Sequence, residues 1–281
     1  MANHRVRLIF TDLDGTLLDH NSYAWSPAQP ALNLTKELGI PVIPCTSKTL
    51  AECVVLQKQL GLSGPLIFEN GAGVALPKAS FDRPTQHLES ETEHHWICGF
   101  TSNYESIRQR LLDVKKYGRY VFKSFGDMNV SEVAAATDLP LERAALAKKR
   151  LYTEPIQWLD DAKSFNQFHR DIKAAGLSLM RGGRFIHVLE DCDKGQTMQW
   201  LVRRYDPMSQ RSTWTIALGD SPNDIPMLQA ADVAVIIKNP HRAALEYIAA
   251  SRQQVIRTKQ AGPTGWNTAI TKLLTEESVH G

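Results

Sequence analysis

Four times along this chain a short apolar run stops abruptly at a polar cluster. Val6 to Phe10 ends at Thr11-Asp12, Ile40 to Cys45 at Thr46-Ser47, Leu66-Ile67-Phe68 at Glu69-Asn70-Gly71, and Trp214 to Leu218 at Gly219-Asp220. Helical patterns separate these runs. Ser26-Pro27 reads as a capping hydroxyl followed by proline at the first helical position. Ala31, Leu34 and Leu38 then share a face, and Gly39 stops the helix. Leu50, Cys53 and Val54 mark a second helix, and Lys194 opens a third carrying Met198, Leu201 and Val202. A short helix over Ile225 to Ala230 precedes a strand over Val233 to Ile237. Strands alternating with helices predict an α/β fold, a doubly wound, mostly parallel sheet covered on both faces. Such sheets bind ligands beyond the carboxyl ends of their strands, where every one of these clusters falls.

The middle of the chain reads differently. Tyr104, Ile107, Leu111 and Val114 predict a helix, Tyr120 to Phe125 a strand, Leu141 to Lys149 a helix and Tyr152 to Trp158 an extended segment. Ala162 to Ala175 reads as a helix ending at Gly176. Leu177 to Met180 and Arg184 to Leu189 read as strands flanking a Gly182-Gly183 turn. The expected organisation is a core of residues 1–83 and 189–281 with an α+β module, 84–188, inserted into it. Pro77 to Pro84 and Glu190 to Asp193 are the expected hinges.

Composition narrows the classes of function. Lys and Arg number 32 against 30 Asp and Glu, a net charge of +2, which gives no electrostatic warrant for nucleic acid or an anionic membrane as partner. No apolar run approaches the ~20 residues that span a bilayer. Met1-Ala2-Asn3-His4-Arg5 leads at once into a strand-like stretch and reads against a signal peptide. Cys45, Cys53, Cys98 and Cys192 show no metal-type or redox-type spacing. They read as reduced thiols in a cytoplasmic protein.

The sharpest chemical signal is Asp12-Leu13-Asp14-Gly15-Thr16, directly after the first strand. Taken alone, two carboxylates one residue apart also fit a calcium loop or a solvated turn. Three further elements follow in order: Thr46-Ser47 at a strand end, Lys194 at a helix start, and Gly219-Asp220-Ser221-Pro222-Asn223-Asp224. With these, the chain resembles the haloacid dehalogenase-like phosphatase superfamily, Cof-type, along its whole length, the inserted module standing as the cap. The resemblance implies Mg2+ as cofactor, with Asp12 as nucleophile and ligand, Asp14 a ligand through its backbone carbonyl and Asp220 a carboxylate ligand. It implies Asp14 as the general acid and base, and Thr46 and Lys194 as holders of phosphoryl oxygens. It implies Asn223 and Asp224 as the residues that orient the metal site and Lys194. The chemistry is coherent, because a phosphomonoester dianion repels a carboxylate nucleophile unless its charge is neutralised. Each part also has a plain alternative: a solvated Lys194, Thr46 as a helix cap, Asp224 as an exposed helix-start acid. Asp19 and Asp191 read as turn or cap residues.

A narrower resemblance rests on Thr46-Ser47-Lys48-Thr49, Phe68-Glu69-Asn70-Gly71-Ala72-Gly73, Thr153-Glu154-Pro155 and Arg181-Gly182-Gly183-Arg184-Phe185-Ile186-His187. These segments are similar to those of the mannosyl-3-phosphoglycerate phosphatases, a cap-bearing branch of the superfamily. That implies a small phosphorylated sugar carrying a glycerate carboxylate as substrate. Ser47 and Lys48 follow the strand-end threonine, and Lys48 is a candidate partner for the carboxylate. Arg181 or Arg184 could grip an anion with two hydrogen bonds. Glu69 and Asn70 either bond sugar hydroxyls or shape the turn at Gly71. Alternation places His187 with Phe185 on one face and favours a packed histidine, while Trp158 and Phe165 read as module core. Two rival functions stay open: another sugar-phosphate phosphatase or a phosphomannomutase, and a non-catalytic sugar-phosphate-binding regulator. The oligomeric state is not legible.

Overall fold

The computed structural model of the chain describes residues 6–181, 185–205 and 213–277. Its elements run β1 Val6–Thr11, α1 Gln29–Glu37, β2 Val42–Pro44, α2 Leu50–Leu60, β3 Leu66–Phe68, β4 Gly73–Pro77, β5 Leu88–Glu91 and β6 His95–Gly99. They continue with α3 Tyr104–Gly118, β7 Phe122–Ser124, α4 Val130–Thr137, α5 Leu141–Ala147, β8 Glu154–Trp158, α6 Ala162–Ala174, β9 Ser178–Arg181 and β10 Ile186–Leu189. The last are α7 Lys194–Tyr205, β11 Thr213–Gly219, α8 Ile225–Ala230, β12 Val233–Lys238, β13 Gln254–Ala261 and α9 Gly262–Glu277. None of the helices among the described residues is long and apolar enough to cross a membrane.

The chain parts into two compact units. One comprises Met1–Thr46, Gln57–Ile67 and Asp193–Gly281; the other comprises Ser47–Leu56 and Phe68–Cys192.

The first unit is built on a five-stranded sheet in the order β13-β12-β11-β1-β2, every pairing parallel. Its central strands are Val-, Ile- and Leu-rich and buried along nearly their whole length, as strands covered on both faces must be. Helices α1 and α9 pack on each other, and α7 packs on α8. The predicted doubly wound α/β core is therefore present. Chain order steps from β1 to β2 on one side and from β1 to β11 on the other, so the sheet's topological switch lies beside β1.

Local rules explain the element ends. Gly39 and Gly176 adopt φ of +63° and +72°, and the two residues after each helix bond back to its last turn (Gly39 N–H to Lys36 O, Ile40 N–H to Thr35 O). This glycine cap draws Ile40 out of the predicted strand, which begins at Val42. The expected Ser26 cap is not formed. Ser26 lies inside a 3-10 turn, Ser26–Ala28, that leads into α1, and no side chain caps either piece.

The second unit is α+β. Strands β7, β8, β10 and β9 form an antiparallel sheet in that order, on which α3 and α6 pack. Ile107, Leu111, Phe122, Ile156, Phe168 and Val188 are buried in its core, with Trp158 and Phe165 packed against them. The expected cap module is thus present as an antiparallel sheet with helices. Strand β3 is the predicted Leu66–Phe68 run, but β4, β6 and β5, which follow it in a further sheet ordered β3-β4-β6-β5, and helix α4 have no counterpart in the sequence reading. Helix α4 is nonetheless signalled: Asn129 and Glu132 form a reciprocal capping box. The Gly182-Gly183 turn lies outside the described residues.

Candidate active site

Parallel pairing at the switch point delivers the acidic residues to one place. Thr11 on β1 stands opposite Leu218 on β11, and the Asp12 N–H extends the ladder by donating to the Leu218 carbonyl at 2.9 Å. Asp12 and Asp220 therefore leave adjacent strands side by side. On the other flank Thr11 stands opposite Pro44, Cys45 N–H donates to the Thr11 carbonyl, and Thr46 N–H donates to Ile67 O. The strand-end threonine thus emerges on the same edge of the sheet.

After Asp12 the chain turns tightly, with Thr16 N–H and Leu18 N–H both donating to Leu13 O. Gly15 sits in this turn at φ +82°, and a Cβ there would lie 2.8 Å from Asp220 Oδ2. Only glycine allows both the left-handed backbone and that approach of the loop to a carboxylate. Thr16 Oγ1 donates to Asp220 Oδ1 at 3.2 Å, and Asn239 Nδ2 donates to Asp220 Oδ2 at 2.6 Å.

Lys194 is the first residue of α7 and is fully buried. Its ammonium donates to Asp12 Oδ1 at 2.7 Å and Asp224 Oδ1 at 2.6 Å. Asp193 holds the helix start, accepting from the Gln196 N–H on Oδ1 at 2.8 Å. Asp224 Oδ2 accepts from Asp220 N–H and Ser221 N–H, each at 3.0 Å. With both oxygens so engaged, Asp224 acts as a brace joining the 220–221 backbone to the ammonium. The Ser221 hydroxyl, with its one proton, lies within hydrogen-bond reach of both Asp224 Oδ2 and Asn223 Oδ1.

Ligand atoms of Asp12, Asp220 and Asp224 all lie within 4.8 Å of one another, and all three residues are buried. Burial pushes the Asp12 carboxyl well above the usual range; Lys194 pulls it back, and Asp224 and Asp220 push it up again. Burial and the Asp224 charge push Asp220 up to about 6, against hydrogen bonds from Asn239 and Thr16. Burial alone would lower Lys194, but Asp12 and Asp224 more than offset it, and its pKa is raised. Three carboxylates around a single ammonium leave two negative charges that nothing in the cluster balances. Oxygen donors with that surplus suit a hard divalent cation. Lys194 engages Asp12 through Oδ1, and the Asp12 and Asp220 carboxylates would hold the ion. Asp14, partly exposed, occupies the same loop, bridged to Leu18.

The remaining predicted residues belong to the second unit. Glu69 is fully buried, with Oε1 accepting from the Leu151 N–H at 2.8 Å and Oε2 from the Tyr152 N–H and the Thr153 hydroxyl at 3.1 and 2.7 Å. Arg150 Nε lies 3.5 Å from Oε2. Glu69 thus braces the 151–153 segment through both of its oxygens. Its loop needs such a hold, since Glu69, Asn70 and Gly71 have φ of +49°, +62° and +97°. Lys48 is mostly buried, 3.9 Å from Glu52. Ser47 offers its carbonyl to Arg150 Nη2. Arg181 is exposed, its guanidinium 5.2 Å from the Phe165 ring centroid. Arg184 lies outside the described residues. His187 is nearly buried, as the alternation predicts.

Sequence reasoning missed Asp193, Thr16 and Asn239 as supports. Asp193 had a visible signal, an acid just before the helix. Asn239 had none, because it reaches Asp220 through the fold.

Comparison with known proteins gives concordant findings. A family model described as haloacid dehalogenase-like hydrolase matches residues 9–251. A protein of Persephonella marina, named glucosyl-3-phosphoglycerate/mannosyl-3-phosphoglycerate phosphatase, is 36% identical over 270 residues, covering 96% of this chain and 97% of its own. One of the same name from Methanococcoides burtonii is 38% identical over 267 residues, covering 95% and 97%. Among solved structures, protein 0175 of Thermoplasma acidophilum superimposes with a TM-score of 0.66 at 17% identity, covering 96% of this chain and 98% of that one. The subclass IIB sugar phosphatase BT4131 does so with a TM-score of 0.62 at 16% identity, covering 95% and 98%. At such identities these structures speak to the fold.

Proposed function

Because the chain belongs to the haloacid dehalogenase-like hydrolases, we propose that it is a magnesium-dependent phosphatase that hydrolyses mannosyl-3-phosphoglycerate to mannosylglycerate and phosphate. The relatives' names add the glucosyl ester, so the reading extends to hexosyl-3-phosphoglycerates. One observation carries it: Asp12 is clamped by Lys194 through one oxygen only, at the topological switch of the sheet, with Asp220 beside it.

In this reading Asp12 Oδ2 attacks phosphorus, the bond to the glycerate oxygen breaks, and an aspartyl-phosphate forms. Asp14 protonates the departing alkoxide and then takes a proton from the water that releases phosphate. The buried Lys194 ammonium and the Thr46 hydroxyl bind phosphoryl oxygens and oppose the charge that develops there. Asp224 keeps the ammonium aimed at Asp12. A bound Mg2+, held by Asp12, Asp220 and the Asp14 carbonyl, supplies charge neutralisation of the phosphoryl group. Specificity falls to the cap, residues 84–188 on the sequence boundaries, through Arg181 and Arg184, with Ser47, Lys48, Glu69, Asn70 and Gly71 outside those boundaries as the further candidate contacts to carboxylate and hydroxyls. The setting is cytoplasmic, with the four cysteines reduced; all four are buried, and none forms a disulfide among the described residues.

The test is a phosphate-release screen over mannosyl- and glucosyl-3-phosphoglycerate and simple sugar phosphates, with and without EDTA. Release that needs the metal and no sugar bisphosphate supports hydrolysis over mutase chemistry. No release from any substrate would leave the regulator reading standing instead.

A further inference from the structure

The proposed nucleophile is gripped from two directions, and only one of them belongs to the motif set. Lys194 holds the carboxylate. The backbone of Asp12 is held separately: the Thr11 hydroxyl donates to the Asp12 carbonyl at 2.8 Å. That hydroxyl in turn accepts the indole N–H of Trp266 at 3.0 Å. Both bonds are buried, and Trp266, fully enclosed in the first unit, lies 255 positions from Thr11. Nothing in the reaction proposed above uses this tryptophan.

Its own placement is fixed. Strand β13 ends at Ala261 and α9 begins at the next residue, so no loop intervenes to blur where the first turns of α9 point. Beside Trp266, Asn267 Oδ1 accepts the Ala31 N–H at 2.9 Å, tying α9 to α1. Ala269, Ile270, Leu273 and Leu274 complete a buried stripe with Trp266 at helical spacing. The indole is thus a rigid arm with a single polar atom, and that atom ends on the hydroxyl that bonds the Asp12 carbonyl.

We propose that Trp266, acting through the Thr11 hydroxyl, is a positioning residue for the nucleophile. A Thr hydroxyl has one proton to give and accepts on its lone pairs. The indole donor occupies an acceptor site on Thr11 Oγ1 and so fixes the rotor with its proton on the Asp12 carbonyl. That pins the peptide following Asp12, where the chain leaves β1 for the 13–18 turn. In-line attack on phosphorus depends steeply on such placement: about 1 Å of error costs on the order of 100-fold. The inference rests on the phosphatase reading and adds to it a residue from the far end of the chain.

Four variants test it: Trp266→Phe, which keeps a ring and deletes the donor; Thr11→Val, which keeps the shape and deletes the hydroxyl; Thr11→Ser, which restores the hydroxyl; and the double change W266F/T11V. Phosphate release is measured with mannosyl-3-phosphoglycerate and with p-nitrophenyl phosphate. The expected result is a kcat lowered about 10- to 100-fold in W266F and T11V with KM within about 2-fold. T11S should stay near wild type, and the double variant should be no slower than the slower single one. A role in stability alone would lower melting temperature without moving kcat at temperatures where the protein is folded. Should W266F fail to fold, T11V against T11S decides the same point. Wild-type kcat in folded W266F and T11V would overturn the positioning role while leaving the phosphatase reading intact. A wild-type chain that releases no phosphate overturns both.

Discussion

Removing divalent cations from this protein should leave a destabilisation that depends on pH in a calculable way. Asp220 is 6% exposed, and its carboxyl is pushed from 3.8 to about 6 by burial and by Asp224. A folded-state pKa above the unfolded value means that the folded state binds the proton more readily between the two. The metal-free protein therefore loses stability as pH rises from about 4 to about 6, and the loss is complete above about 6. From 3.8 to about 6, that loss is about 3 kcal/mol. Asp12 is shifted in the same direction and adds to it. A bound cation faces the reverse dependence, since at about pH 4 it must first displace the proton, at a cost of about 3 kcal/mol. Thermal unfolding at a series of pH values, with EDTA and with saturating Mg2+, isolates the site as the difference between paired curves. At ~2 cal/mol/K per residue the whole chain gives about 0.6 kcal/mol per degree, so the Mg2+ increment should be roughly 5 °C larger near pH 8 than near pH 4. An increment independent of pH, or absent, would refute the assignment of the cluster as a cation site.

Other outcomes follow from the same geometry. Asp12→Asn should abolish phosphate release while circular dichroism stays native; unchanged turnover would remove Asp12 as nucleophile. Lys194→Met leaves Asp12 and Asp224 facing each other without a cation and should cost about 3–5 kcal/mol by urea unfolding, measured near neutral pH; a loss below about 1 kcal/mol would contradict the electrostatic account. Glu69→Ala strips three hydrogen bonds from the 151–153 backbone and side chain and removes the carboxylate beside Arg150, which keeps its bonds to Thr153 and Ser47; a loss of about 3–5 kcal/mol is expected, and a neutral effect would mean the strained loop does not need its brace. Burial works against the Glu190 carboxylate, but the Ser102 N–H, Arg110 and the Ser102 hydroxyl hold its pKa below the ordinary value. Its stabilisation is present above about pH 4.5 and is lost as pH falls; Glu190→Gln should flatten that acid limb, and an unaltered acid midpoint would argue against the pairing.

Much of the core was legible because its physics is local. A parallel strand buried on both faces is a short apolar run, and its catalytic end is marked where polarity begins, so Asp12, Thr46 and Asp220 stood out before any fold was drawn. Lys194 was legible by its place at a helix start, but its complete burial was not, since nothing local foretells two carboxylates closing over it. Strand β5, Leu-Glu-Ser-Glu, is largely exposed and alternates nothing, so no pattern announces it. Strand β13 is an exposed edge with the same difficulty. Helix α9 is the instructive miss: residues 266, 269, 270, 273 and 274 keep perfect amphipathic spacing, yet the Gly-rich approach at Gly262 and Gly265 masks its start. Residue type leaves Glu69 open between a sugar ligand and a brace of the turn, because the backbone amides that bond it lie more than eighty positions away.

Strand β1 lies between β2 and β11, and the first residue of β11 is made roughly 200 residues after β1 ends. At ~5–20 residues per second the ribosome needs about 10–40 s to bridge that interval. Throughout it, the apolar Leu-Ile-Phe of β1 has one eventual neighbour at hand and the other not yet synthesised. Nascent chains halted before residue 213 should therefore bind hydrophobic-segment chaperones at their amino terminus, and lose that binding once β11 has cleared the exit tunnel.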